Sequence, residues 1–160
     1  GELVDLLAAA AEANPAIPAY RAVLALCLVE DGDLRAARRH YEPFRSSRFE
    51  VLPPDSNRFL ALGVLADVAA ALDDHDGSVE LRRLLTPWRD RQLVLNCYGT
   101  GGAWWGPVEL ALGRLAAVVG DPEAEALLDG AAASAQLVRS PLVAARVESV
   151  RRSVGLVTSP

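Results

Sequence analysis

The chain has 160 residues, 51% of them hydrophobic, which suffices for one domain with a substantial core and argues against disorder. Its apolar residues are mostly Ala, Leu and Val, with a single isoleucine (Ile17) and no Met, a mixture that favours helix over strand. A net charge of −5 with no contiguous arginine run argues against direct binding of nucleic acid or an anionic membrane, and no apolar stretch approaches the roughly 20 residues of a membrane span.

The predicted elements are helices throughout. Leu3, Leu6, Leu7 and Ala10 follow the spacing of an amphipathic helix over 2–13, which Asn14-Pro15 ends. Residues 17–30 are apolar almost all round, so this helix is expected to be buried on several sides and to end at Asp31-Gly32. Asp33 opens a partner helix with Leu34, Ala37, Tyr41 and Phe44 on one face and Arg35, Arg38, Arg39 and Glu42 on the other. A helical hairpin results.

After Leu52-Pro53-Pro54, Asp55 or Ser56 can cap an apolar helix over 59–72. The run DDHDG then predicts a turn at Gly77, followed by a partner helix that buries Val79, Leu81, Leu84 and Leu85 and ends at Thr86-Pro87. A third hairpin begins at Gly106, with Pro107 in the first helical position, runs through 108–119, turns at Gly120-Asp121 and returns over 122–138. A last helix over 142–154 follows Ser140-Pro141.

The turns at Gly32, Gly77 and Gly120 recur about every 44 residues, within the range of helical-pair repeats. Small and large residues alternate at the expected contacts. Leu24, Ala25, Leu28, Ala37 and Tyr41 do so in the first hairpin, and Leu112, Gly113, Ala116, Ala124 and Leu128 in the third. The expected fold is all-α, a right-handed superhelix of stacked antiparallel hairpins forming one tetratricopeptide-like domain over residues 1–160. The start at Gly1, with no signal-peptide pattern, reads as a segment of a larger cytoplasmic protein.

Three stretches carry a family resemblance. They are NPAIPAYRAVLALCLVEDGDLRAARRHYE, FEVLPPDSNRFLALGVLADVAAAL and, most specifically, LRRLLTPWRDRQLVLNCYGTGGAWWGPVELALGRLAAVVGD. With them the chain resembles the tetratricopeptide-like region of large actinobacterial signal-transduction ATPases, both regulators ending in a LuxR-type helix-turn-helix and relatives beginning with a nucleotide-cyclase domain. The resemblance implies a sensor and scaffold role, with ATPase and output domains elsewhere in the parent chain. It transfers no individual binding residue.

Chemistry is sparse. The stretch GTGGAWWG has the glycines of a phosphate loop but no lysine, since every basic residue other than His40 and His75 is arginine, and it is read as an inter-hairpin connection without a strand. Cys27 and Cys97 lack metal-ligand or disulfide spacing, His40 and His75 are read as solvated, and the acidic run Asp73, Asp74, Asp76 is read as a helix turn. No GxSxG and no singled-out carboxylate pair is present, so no catalysis, cofactor or metal is expected. The tentative binding residues are Arg58, Asp67, Glu109 and Arg114, on helices that would line a concave face, with Trp104 and Trp105, which on a helix start would point about 100° apart. The expected function is a non-catalytic scaffold that binds a protein, a peptide or a small inducer. The alternative is a spacer or homodimerisation module with no ligand of its own.

Overall fold

The computed structural model describes residues 2–55, 57–97, 101–153 and 155. It is mostly helical. The first three helices are α1 (Glu2–Ala13), α2 (Pro18–Glu30) and α3 (Leu34–Ser46), and α4 (Arg58–Ala71) and α5 (His75–Leu85) follow. A single 3-10 turn at Thr86–Trp88 leads to strands β1 (Gln92–Cys97) and β2 (Gly101–Pro107), and then to α6 (Val108–Val118), α7 (Ala124–Leu137) and α8 (Pro141–Ser153). The expected cap Ser56, the loop positions Gly99 and Thr100, and Val154 lie outside the described residues.

Local chemistry sets most boundaries. Asn14 donates from its side-chain amide to the Ala10 carbonyl and closes α1 before Pro15. Gly32, at φ 83°, takes the left-handed position that ends α2, and the Asp33 carboxylate accepts from the Ala36 amide at 2.9 Å to start α3. The N-cap of α4 is Asn57, whose side chain makes no cap bond, and the expected residue Asp55 lies two positions earlier, where its carboxylate accepts from the amides of Asn57 and Arg58.

The second turn differs from expectation. The chain reverses at Asp73, at φ 52°, and Asp74 caps α5 by accepting from the Gly77 amide, so Gly77 lies inside the helix. A Cβ there would sit 2.2 Å from the Tyr41 hydroxyl, so glycine is needed for close approach and not for a left-handed turn. Asp74, three residues earlier, is thus the helix start, and its carboxylate is held there by the Tyr41 hydroxyl as well as by the Gly77 amide. Similarly, Pro107 ends β2 and stands at the N-cap of α6 rather than as its first residue.

Each helix packs on neighbours close in sequence. α2 contacts α1, α3 and α4; α4 contacts α5 and α6; α6 contacts α5 and α7; and α7 contacts α8. The small and large residues named for the first and third hairpins are all buried. Gly113 shows why, because a Cβ there would lie 3.0 Å from Leu128. One core runs from α2 to α7, and a second joins Leu110, Leu128, Ala131 and Ala135 to Val143, Val147 and Val150 of α8.

Several predicted core positions are exposed. α1 packs on α2 through Val4, Leu7 and Ala8, leaving Leu3 and Leu6 in solvent, and Leu34 and Val79 are likewise exposed. The half-buried face of α1 comprises Val4, Leu7, Ala8, Ala10 and Ala11, so it keeps Leu7 and Ala10 of the expected stripe and turns Leu3 and Leu6 outward.

The main correction lies at 92–107. The expected glycine-rich connection is an antiparallel hairpin, pairing Val94 with Trp104 and Leu93 with Gly106, with a bulge that leaves Trp105 as the extra residue. Leu93 is 2% exposed and wedges against α4 where Gly63 leaves room, since a Cβ at Gly63 would meet the Leu93 side chain at 2.4 Å. Leu93→Ala should therefore lower stability by about 2–5 kcal/mol in urea unfolding followed by helical dichroism. A loss under about 1 kcal/mol would mean that the hairpin is not anchored there.

His75 is exposed as expected, whereas His40 is half-buried. Burial holds the His40 imidazole below its ordinary range, and the nearby Arg21 and Arg39 add to the effect. The unfolded chain then binds the proton more readily, so stability should fall as pH drops from about 7 through the ordinary histidine value. His40→Gln should flatten that part of the urea midpoint against pH; an unchanged slope would contradict it.

Candidate functional site

The six residues singled out in sequence do not gather into one groove. Asp67 and Arg114 do meet, 2.6 Å apart, but inside the protein: the Asp67 side chain is 4% exposed. The second partner of Asp67 is Arg146 on α8, whose Nη2 lies 2.5 Å from Oδ2. Arg146 also donates from Nη1 to the Trp105 carbonyl at 2.6 Å and places its guanidinium over the Trp105 ring, 4.9 Å from the centroid. Burial lowers the proton affinity of Arg146, while Asp67 opposes that effect and Arg114 reinforces it; an arginine remains charged regardless. One carboxylate thus holds α6, α8 and the hairpin against α4.

A buried carboxylate between two guanidiniums is a structural lock, because removing it leaves two cations without their counter-charge. The volume beside it, lined by Gly63, Leu93, Pro107 and Leu110, is filled. Asp67→Ala should cost about 3–5 kcal/mol in urea unfolding, and a cost below about 1 kcal/mol would show the triad to be dispensable.

The other predicted residues have local duties. Trp104 and Trp105 stand on a strand, not a helix start, so they serve different neighbours. Trp104 donates from Nε1 to Gln92 at 2.9 Å and packs on the α7–α8 core, and Trp105 packs on the main core. Both are half-buried. Glu109 accepts from Arg89 at 3.3 Å, and Arg89 in turn pairs with Glu123. A second network buries Tyr41, whose hydroxyl donates to Asp74 while Arg45 pairs with the same carboxylate. Burial and that carboxylate push the Tyr41 hydroxyl well above the ordinary phenol range.

Arg58 alone of the six borders open space. A cleft of about 580 Å³ lies between the start of α4, the end of α5 with its 3-10 turn, and the start of β1. That volume falls within the roughly 300–1,000 Å³ of small-molecule sites. Leu62 is buried at its floor, Phe59 and Leu84 are half-buried, and Trp88 stands 50% exposed. Phe59 and Trp88 meet edge to face, with centroids 5.9 Å apart and planes at 66°. The polar rim consists of Asp55, Arg58, Arg91 and Gln92.

The local sequence builds this shape. Thr86-Pro87 stops α5 in a 3-10 turn, with the Thr86 hydroxyl donating to the Arg82 carbonyl at 2.7 Å, and that turn presents Trp88 sideways toward Phe59. Pro54 and Asp55 form the opposite wall in a turn, with the Asp55 amide donating to the Pro53 carbonyl at 2.8 Å, and Arg58 reaches back to donate to the Leu52 carbonyl. Trp88 and Arg91 escape a periodicity search because Pro87 has already broken the helix. The signal that could have found them is an aromatic and a cation set just beyond a helix stop.

No protein-family model, curated protein or solved structure matches the chain. Among the described residues, no helix is long and apolar enough to cross a membrane.

Proposed function

We propose that the chain is a non-catalytic, ligand-sensing scaffold: a right-handed stack of helical hairpins, tetratricopeptide-like, that serves a transcriptional or signalling regulator carrying ATPase and output domains. The observation that carries the sensing reading is the cleft with the Phe59–Trp88 pair in its wall and two arginines at its rim. Exposed tryptophan beside a concave apolar surface is the kind of feature that binding sites use and that a folded core does not need. The serial packing of α2, α4 and α6, with α3 and α5 beside them, supports the stacked arrangement. The resemblance of the three stretches supports the regulatory setting.

The test is a thermal-shift screen of the purified chain with aromatic acids, sugars, nucleotides and short peptides. A ligand selective for the native state at about 100 times its Kd adds about 2.7 kcal/mol, a rise of several degrees for a chain of this size. The shift should disappear in Trp88→Ala and persist in Trp104→Ala. A shift that survives Trp88→Ala would remove the cleft from the reading.

A second reading, a spacer that works by self-association, is favoured by Leu137, Val138 and Leu142. These three apolar residues at the α7–α8 junction are 85%, 54% and 67% exposed. Light scattering over a concentration series distinguishes it. A dimer disrupted by Leu142→Glu would favour the spacer, and a monomer throughout would remove it.

A further inference from the structure

We infer that the cleft between α4 and β1 takes a small, flat apolar molecule carrying one anionic group, such as an aryl carboxylate. This inference rests on the sensing reading and specifies what is sensed. Two independent features of the cleft set the class, one apolar and one charged.

The apolar feature is the shape and composition of the interior. Leu62, Leu84, Phe59 and Trp88 make the cleft wall mainly apolar, so the body of the ligand is apolar there. The edge-to-face geometry of Phe59 and Trp88 leaves the half-exposed Trp88 indole free to take a further ring by stacking, which favours a planar body.

The charged feature is the state of the rim arginines. Among the described residues, neither Arg58 nor Arg91 lies within ion-pair distance of a carboxylate, although the acidic side chains of the chain outnumber the basic ones, 21 to 16. Arg82, Arg89, Arg114 and Arg146, by contrast, each have a carboxylate partner. Among the described residues Asp55 is the one acid lining the cleft, and its Oδ1 accepts from the amides of Asn57 and Arg58, so the two arginines leave the rim with a net positive charge. Gln92 is likewise engaged, by the Trp104 indole. Arg58 spends one donor on the Leu52 carbonyl and retains the others, and the Arg91 side chain has no partner among the described residues. A rim guanidinium above an apolar floor matches an oxyanion attached to a flat hydrocarbon, because the planar fork binds a carboxylate in two-point fashion while the ring fills the floor.

The experiment compares 2-naphthoate with its neutral analogue 2-naphthylmethanol by calorimetric titration of the whole chain. 2-Naphthoate should bind at least about tenfold more tightly, since hydrogen bonds to a charged group are worth more than neutral ones. Arg91→Gln, an exposed position whose substitution leaves the core untouched, should abolish that difference while leaving the affinity for the alcohol unchanged. Arg58→Gln should act in the same direction, and helical dichroism checks that each variant is folded. Trp88→Ala should weaken both ligands.

Equal binding of acid and alcohol, both lost in Trp88→Ala, would overturn the anionic class and leave the sensing reading standing. Binding of 2-naphthoate that is indifferent to Arg91→Gln and Trp88→Ala would place the ligand elsewhere and overturn the assignment. Absence of heat for both ligands at millimolar concentration would overturn the inference, and a blank thermal-shift screen beside it would remove the sensing reading too.

Discussion

The Asp67 carboxylate is the point on which the second half of the molecule turns. Helices of this composition are slippery: Ala, Leu and Val on several faces allow many packings of similar energy, and apolar contact alone does not select one. A charge placed inside that core accepts only the arrangement that brings both Arg114 and Arg146 to it. The arrangement fixes α6 and α8 against α4. Through the Trp105 carbonyl and ring it fixes the hairpin as well.

The cleft follows from that lock. One of its walls is the start of β1, where Leu93 wedges into the space left by Gly63 while Gln92 faces the rim. Were the hairpin free to swing, Arg91 and Gln92 would have no fixed position relative to Arg58 and Trp88. The opposite wall is held differently, by the Asp55 carboxylate accepting from the Asn57 amide and by the reach of Arg58 to the Leu52 carbonyl. A pre-formed site needs both walls, because affinity is lost when a binding surface must first be ordered.

Much of the helical framework is legible in the sequence. Signals that act over three or four residues predict α1, α2, α3, α6 and α7 to within a few positions: Asn14-Pro15, Gly32 followed by Asp33, and Gly120. Where two local signals compete, as Asp74 and Gly77 do, the sequence alone does not rank them; the close approach of Tyr41 decides, and Tyr41 is 33 residues away from its partner Asp74. The hairpin is illegible for a related reason. Its strands are short, one is rich in glycine, and their stability comes from pairing with each other and from Leu93 beneath α4, neither of which a window of sequence contains. Site residues were legible as residue types and not as roles. Asp67 and Arg114 read as groove contacts but form a core lock with Arg146, 79 residues from Asp67. Trp88 and Arg91, which the sequence did not single out, line the cleft.

Native-state hydrogen exchange of Asp67→Asn tests the lock most directly. If the carboxylate ties the hairpin and α8 to α4, amides of β1, β2 and α8 should exchange at least about tenfold faster than in the unsubstituted chain, while those of α2 and α3 change little. A uniform acceleration across all helices, or one confined to α4, would contradict the account.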